Sequence, residues 1–89
     1  MKNSKPMNVC ARIKRSMQRR KILYEEVAQR LEKAGFKLDE YGGELIPYAR
    51  YTHQDGVVAN IEYRFLKRPG TKDSWDADGV TDFYYYEDN

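Results

Sequence analysis

The apolar positions in the first third of the chain follow a helical period. Cys10, Ile13, Met17, Arg20, Tyr24, Val27, Leu31 and Ala34 are spaced alternately three and four apart, which puts them on one helix face. Arg20 alone interrupts this apolar seam. Arg12, Lys14, Arg15, Arg19 and Lys21 fall off it. A helix cannot bury that many unpaired charges, because desolvating each costs several kcal/mol. The seam therefore faces a core and the basic residues face outward. Gly35 ends the helix, with an apolar Phe36 just after the residue that can turn left-handed. A single helix from Met7 to Ala34 would run roughly 40 Å at 1.5 Å per residue. That would overhang a domain whose radius of gyration is near ~12 Å. The expectation is an N-terminal helix that is continuous, bent or split near Arg20–Tyr24. Continuity is favoured: no Ser, Thr, Asp, Asn, Gly or Pro lies between Met17 and Ala34, and Tyr24 is a poor cap.

After Gly35 the period drops to two. Phe36 and Leu38 alternate with Lys37 and Asp39 as a short strand, and Tyr41-Gly42-Gly43 reads as a turn. Leu45–His53 and Val57–Leu66 are β-rich runs joined by Gln54-Asp55-Gly56. With Asp55-Gly56 as a two-residue hairpin turn, Thr52 faces Ala59, Arg50 faces Ile61, Tyr48 faces Tyr63 and Ile46 faces Phe65. That side is expected to pack on the seam. The other side, with Ala49, Tyr51, His53, Val58, Asn60, Glu62 and Arg64, is expected to meet solvent. Pro47 cannot donate a ladder bond, so its strand is expected at an edge or bent there. Lys67–Asp78 reads as a polar loop holding Trp75, and Val80–Tyr86 as the last strand. Met1–Pro6 reads as a frayed tail with Ser4 or Asn8 as candidate caps. The expected fold is a single small α+β domain over residues 1–89, an N-terminal helix packed on a three- or four-stranded antiparallel sheet as a two-layer sandwich.

Charge changes this picture more than composition does. The net charge is only +2, but it is divided. Residues 1–35 hold ten Lys/Arg against three Glu, and residues 36–89 hold six against eleven Asp/Glu. Six positive residues and no acid lie between Arg12 and Lys21. A helix that needed only solubility would mix in Glu for i,i+4 pairs. The single cysteine rules out an internal disulfide and points to a reduced, cytoplasmic setting. No apolar run reaches the ~20 residues of a membrane span, so no membrane partner is expected.

Residues 12–31 resemble the first two helices of the Cro/repressor helix-turn-helix family. The shared features are Arg12-Ile13 at the start, Arg20 before the turn, Leu23, Glu25-Glu26-Val27-Ala28 and Leu31. The resemblance implies two helices joined by a turn. The chain departs from the family at Tyr24, where a capping Thr or Ser is usual, and in lacking the turn glycine. Nothing after Gly35 reads as a recognition helix, so a base-reading mechanism is not carried over.

Motifs for catalysis are missing. One His and one Cys cannot supply a zinc site, and Ser4, Ser16 and Ser74 sit in no nucleophile elbow. His53, beside the hairpin turn, is expected on the surface. Asp73–Asp82 matches a calcium loop poorly, with Ser74 and Tyr85 where two strong ligands belong. No cofactor is expected. Two functions remain. The first is a non-enzymatic nucleic-acid-binding module in which Arg12, Lys14, Arg15, Arg19, Arg20 and Lys21 contact the phosphates of DNA or RNA. The second is a small inhibitor or adaptor, of the anti-CRISPR or anti-restriction type, that binds a host nucleic-acid-handling protein. Its contacts would be Asp73, Trp75, Asp76, Asp78, Asp82, Tyr84, Tyr85 and Tyr86, with Glu87 and Asp88 adding charge. A ribonuclease using Arg, Lys, Tyr and His ranks third. A homodimer paired through the long helix would use any seam that one domain leaves uncovered.

Overall fold

The computed structural model describes residues 5–43, 45–67 and 75–88, with the side chains of 65–67 and 75–78 outside the description. Helices α1 (Lys5–Arg19) and α2 (Tyr24–Lys33) precede strands β1 (Lys37–Gly42), β2 (Tyr48–Thr52), β3 (Val57–Lys67) and β4 (Trp75–Glu87). The strands form one antiparallel sheet in the order β1-β2-β3-β4. Both helices lie on one of its faces, giving the expected α+β sandwich.

The seam divides between two helices instead of running through one. Cys10 and Ile13 are buried on α1, and Val27, Ala28 and Leu31 on α2. The break has a tertiary cause. Ile22 is 1% exposed, and its carbonyl accepts the Val80 N–H of β4 at 2.9 Å. Leu23 forms an isolated bridge with Gly79. Backbone groups that would have continued the helix are thus taken by the sheet. A strand, β1, follows α2 where a recognition helix would stand. α1 also starts earlier than expected, at Lys5, and Pro6 is buried in its first turn, where proline costs no hydrogen bond. Asn8 is inside α1 and not a cap, while Ser4 lies outside the described residues.

α2 closes as expected. The Phe36 N–H reaches the Leu31 carbonyl and the Gly35 N–H the Glu32 carbonyl, both at 3.0 Å, with Gly35 at φ +97°. This paired closure is the Schellman arrangement.

The β2–β3 register differs from expectation by one residue. His53 N–H donates to the Val57 carbonyl and Gly56 N–H to the His53 carbonyl, each at 2.9 Å. The loop is therefore the three residues Gln54, Asp55 and Gly56, with Gly56 left-handed at φ +91°. Tyr51 now faces Ala59, Ala49 faces Ile61 and Arg50 faces Asn60. A one-residue slip turns a strand over. The inward face of β3 is as expected at Ala59 and Ile61, with Tyr63 half-buried against the core, but Val58 and Asn60, expected to meet solvent, are buried too, and β2 buries Ala49 and Tyr51 instead of Tyr48, Arg50 and Thr52. The reversal is favourable, since it keeps the Arg50 guanidinium out of the core. Pro47 precedes β2, an interior strand, and its carbonyl accepts the Tyr63 N–H at 3.0 Å.

Trp75, expected in a loop, opens β4 opposite Lys67. β4 is longer than expected and its register shifts twice against Glu62–Phe65. Phe83 is its innermost side chain, at 0% exposure.

Candidate nucleic-acid interface

The six expected phosphate contacts do not form one group. Lys14 reaches down to β4: its Nζ donates to the Phe83 carbonyl at 2.5 Å and lies 3.9 Å from Asp82 Oδ1. Arg20 is clamped by Glu26, with Nη1–Oε1 at 3.1 Å and Nη2–Oε2 at 2.5 Å. That fork holds the Glu26 carboxyl below the usual carboxylate range. Lys21 is also engaged within the chain, and its stem lies against the Gly79 backbone, where a Cβ would come within 2.7 Å of Cε.

Arg12, Arg15 and Arg19 remain. All three are exposed, and among the described residues none has an acidic partner. They are spaced i, i+3, i+7 and so share one face of α1. Lys5 and Asn8, both exposed, continue the same file toward the N-terminus. The file runs along the whole helix, roughly 21 Å at 1.5 Å per residue, and points away from the buried Pro6–Cys10–Ile13 face. Lys5 lies in the stretch that reads as a frayed tail from the sequence, although its spacing of seven from Arg12 places it on the same face.

Arg30 of α2 donates from Nη1 to Ser16 Oγ at 3.4 Å. This contact ties the α1–α2 crevice together beside the file. No acid precedes Glu25 in the chain, so α1 carries only positive charge.

The alternative set is dispersed as well. Alternation along β4 sends Phe83 and Tyr85 inward, with their rings 6.0 Å apart, and Tyr84 and Tyr86 outward at 44% and 45% exposure. Asp82 Oδ1 accepts the Phe83 N–H at 2.9 Å. Asp73 lies outside the described residues, as do the side chains of Trp75, Asp76 and Asp78. On the outer sheet face Tyr84 and Tyr86 are joined by Tyr48, which was expected in the core. Its hydroxyl donates to Glu40 Oε2 at 2.5 Å, and Glu40 also pairs with Arg50 Nη1 at 3.3 Å.

His53 is not a surface residue. Its side chain is 10% exposed and sits edge-on to Phe36 at 5.1 Å. Nε2 donates to the Ala34 carbonyl at 3.1 Å, while Nδ1 accepts the Asp55 N–H at 3.0 Å. Both ring nitrogens are thus used in tying the hairpin to the end of α2. Among the described residues no cluster of metal-ligating side chains occurs, and no helix is long and apolar enough to cross a membrane. Comparison with protein-family models, curated proteins and solved structures finds none that matches this chain.

Proposed function

We propose that the protein binds nucleic acid through its phosphate backbone, without catalysis, using the α1 file of Lys5, Arg12, Arg15 and Arg19. One observation carries the reading: these cations are aligned, exposed and unmatched by acids among the described residues, on a helix with no carboxylate of its own. Lys14 and Arg20, engaged within the chain, drop out of the contact set. The two structural hydrogen bonds of His53 support a non-catalytic role. A cytoplasmic setting accords with a lone cysteine kept as a buried free thiol.

The test is a salt titration of binding to labelled duplex and single-stranded DNA and RNA. Four phosphate contacts give a log–log slope of about −3.6 on duplex and −2.8 on single strands. Changing Arg12, Arg15 or Arg19 singly to Gln should reduce the slope by about 1 each. Binding that ignores salt, or slopes unmoved by all three changes, would sink the proposal.

A second reading has its own observation. Tyr48, Tyr84 and Tyr86 stand on a sheet face that neither helix covers, and exposed tyrosines anchor protein interfaces. An inhibitor or adaptor acting on a host nucleic-acid-handling protein would use that face. It predicts partner binding lost on Tyr84→Ala and Tyr86→Ala while nucleic-acid binding is unchanged.

A further inference from the structure

The sheet face that neither helix covers carries three cross-strand rows of side chains. The middle row, read from β1 to β4, is Glu40, Arg50, Asn60 and Tyr84. Tyr48, Glu62 and Asp82 stand on one side of it, and Lys37, Thr52, Val58 and Tyr86 on the other. Two polar groups of the middle row lack partners. Asn60 is 5% exposed, and among the described residues its side-chain amide makes no hydrogen bond. Arg50 Nε is buried with no hydrogen-bond partner, although Nη1 pairs with Glu40 at 3.3 Å. Buried polar groups are costly to leave unpaired, so a partner for both is called for.

The order of charges along the rows selects one. Two sheets stack face to face about 10 Å apart, with strands aligned to within about 30°. Two in-plane twofold axes let a second copy overlap all four strands and all three rows. The axis across the strands sets Arg50 over Arg50 and Glu40 over Glu40, opposing like charges. The axis along the strands, between β2 and β3, reverses the strand order and keeps the rows. It sets Arg50 over Asn60 of the second copy and Asn60 over its Arg50, so symmetry supplies both missing partners. It also sets Tyr84 over Glu40, Tyr48 over Glu62 and Lys37 over Tyr86, and no like charges meet. The crossing angle displaces β1 and β4 most and leaves Arg50 and Asn60, beside the axis, nearly opposed.

We propose that this sheet face is a homodimer interface, occupied by a second copy of the chain related by the twofold along the strands. The helices then form the outer layers, and the two α1 files lie on opposite sides of the dimer. Only that last consequence touches the nucleic-acid reading; the interface does not depend on it. The face spans roughly 350 Å² in projection, from strand spacing and rise. A standard interface buries about 800 Å² per partner, so this dimer is a weak one. It assigns to a second copy the tyrosines that the adaptor reading gives to a host protein. It also replaces a dimer paired through the helix seam, whose residues Cys10, Ile13, Val27 and Leu31 are buried within one copy.

Sedimentation velocity of the full chain, from micromolar to millimolar concentration, should show monomer passing to dimer. Asn60→Lys sets a cation opposite Arg50 and should weaken the dimer tenfold or more. So should Tyr84→Ala, at a site 44% exposed, where the fold is little affected. Thermal melts identify the variants that fold. Arg12→Gln with Arg15→Gln should leave the dimer unchanged. Spin labels on Gln54→Cys or Asn8→Cys, both exposed positions, read its geometry, since Cys10 is buried. The twofold brings the two β2–β3 turns side by side at one end and keeps the two α1 helices on opposite outer surfaces. Gln54 labels should therefore lie close together and Asn8 labels far apart. A monomer at every concentration overturns the proposal. So does a dimer indifferent to either folded face variant, or one with labels remote at Gln54 or close at Asn8.

Discussion

Single side chains decide more here than their number suggests. The Tyr24 and Tyr51 hydroxyls meet at 3.2 Å under α2, and the Tyr63 ring lies 4.4 Å from that of Tyr24. Burial pushes all three phenols above the ordinary tyrosine range. In the unfolded chain they would ionise near pH ~10. Above that pH the folded state holds more protons than the unfolded one, so stability falls as pH rises. Below it both states are neutral at these sites and they contribute no pH dependence. Urea midpoints should therefore show no tyrosine-linked decline from pH 7 to 9 and should drop beyond pH ~10. Tyr24→Phe, which removes one such phenol, should make the drop shallower. An alkaline profile identical in wild type and variant would contradict this account.

At the scale of elements, the division between α1 and α2 matters most. Arg20 stands just past the end of α1, and Glu26 is in the first turn of α2, where its charge also suits the helix dipole. The pair is exposed and contributes little stability. Its larger effect is to neutralise a cation next to the Arg12–Arg19 file. Glu26→Gln should free Arg20 and tighten nucleic-acid binding about two- to fivefold at low salt, whereas Arg20→Gln should weaken it less than Arg15→Gln does. Competition binding at one fixed salt concentration compares the three. Much of this level was legible in the sequence. The seam, the Gly35 stop, the hairpin position and the inward face of β3 all follow from local spacing. The helix break was legible as an alternative, from the overhanging length and the polar Arg20, but was not the favoured outcome, because Ile22 and Leu23 look helical until β4 takes their backbone groups. The face of β2 was misread because Asp55-Gly56 suits a two-residue turn as well as the end of a three-residue one. That one-residue difference moved His53 and Tyr51 inward and Tyr48 outward. The candidate site was half legible: spacing placed Arg12, Arg15 and Arg19 outside, but the long-range partners of Lys14 and Lys21 depend on where β4 lies.

The whole molecule measures 50 × 27 × 20 Å about its principal axes. Two of its surfaces are segregated: a cationic file on α1 and tyrosines on the sheet face that the helices leave open. A ligand gripping the first would leave the second open. One further consequence comes from Cys10, which lies at 0% exposure between α1 and the sheet, with its thiol pushed up to about 12 by burial. An unburied thiol ionises near ~8.5 and reacts readily at mild alkaline pH. This one should resist DTNB at pH 8 until urea lifts α1 away, and then react at the rate of a short peptide. The chain thus contains its own tamper seal: a yellow colour forming in the absence of denaturant would reveal a helix that peels from its bed while the sheet stays whole.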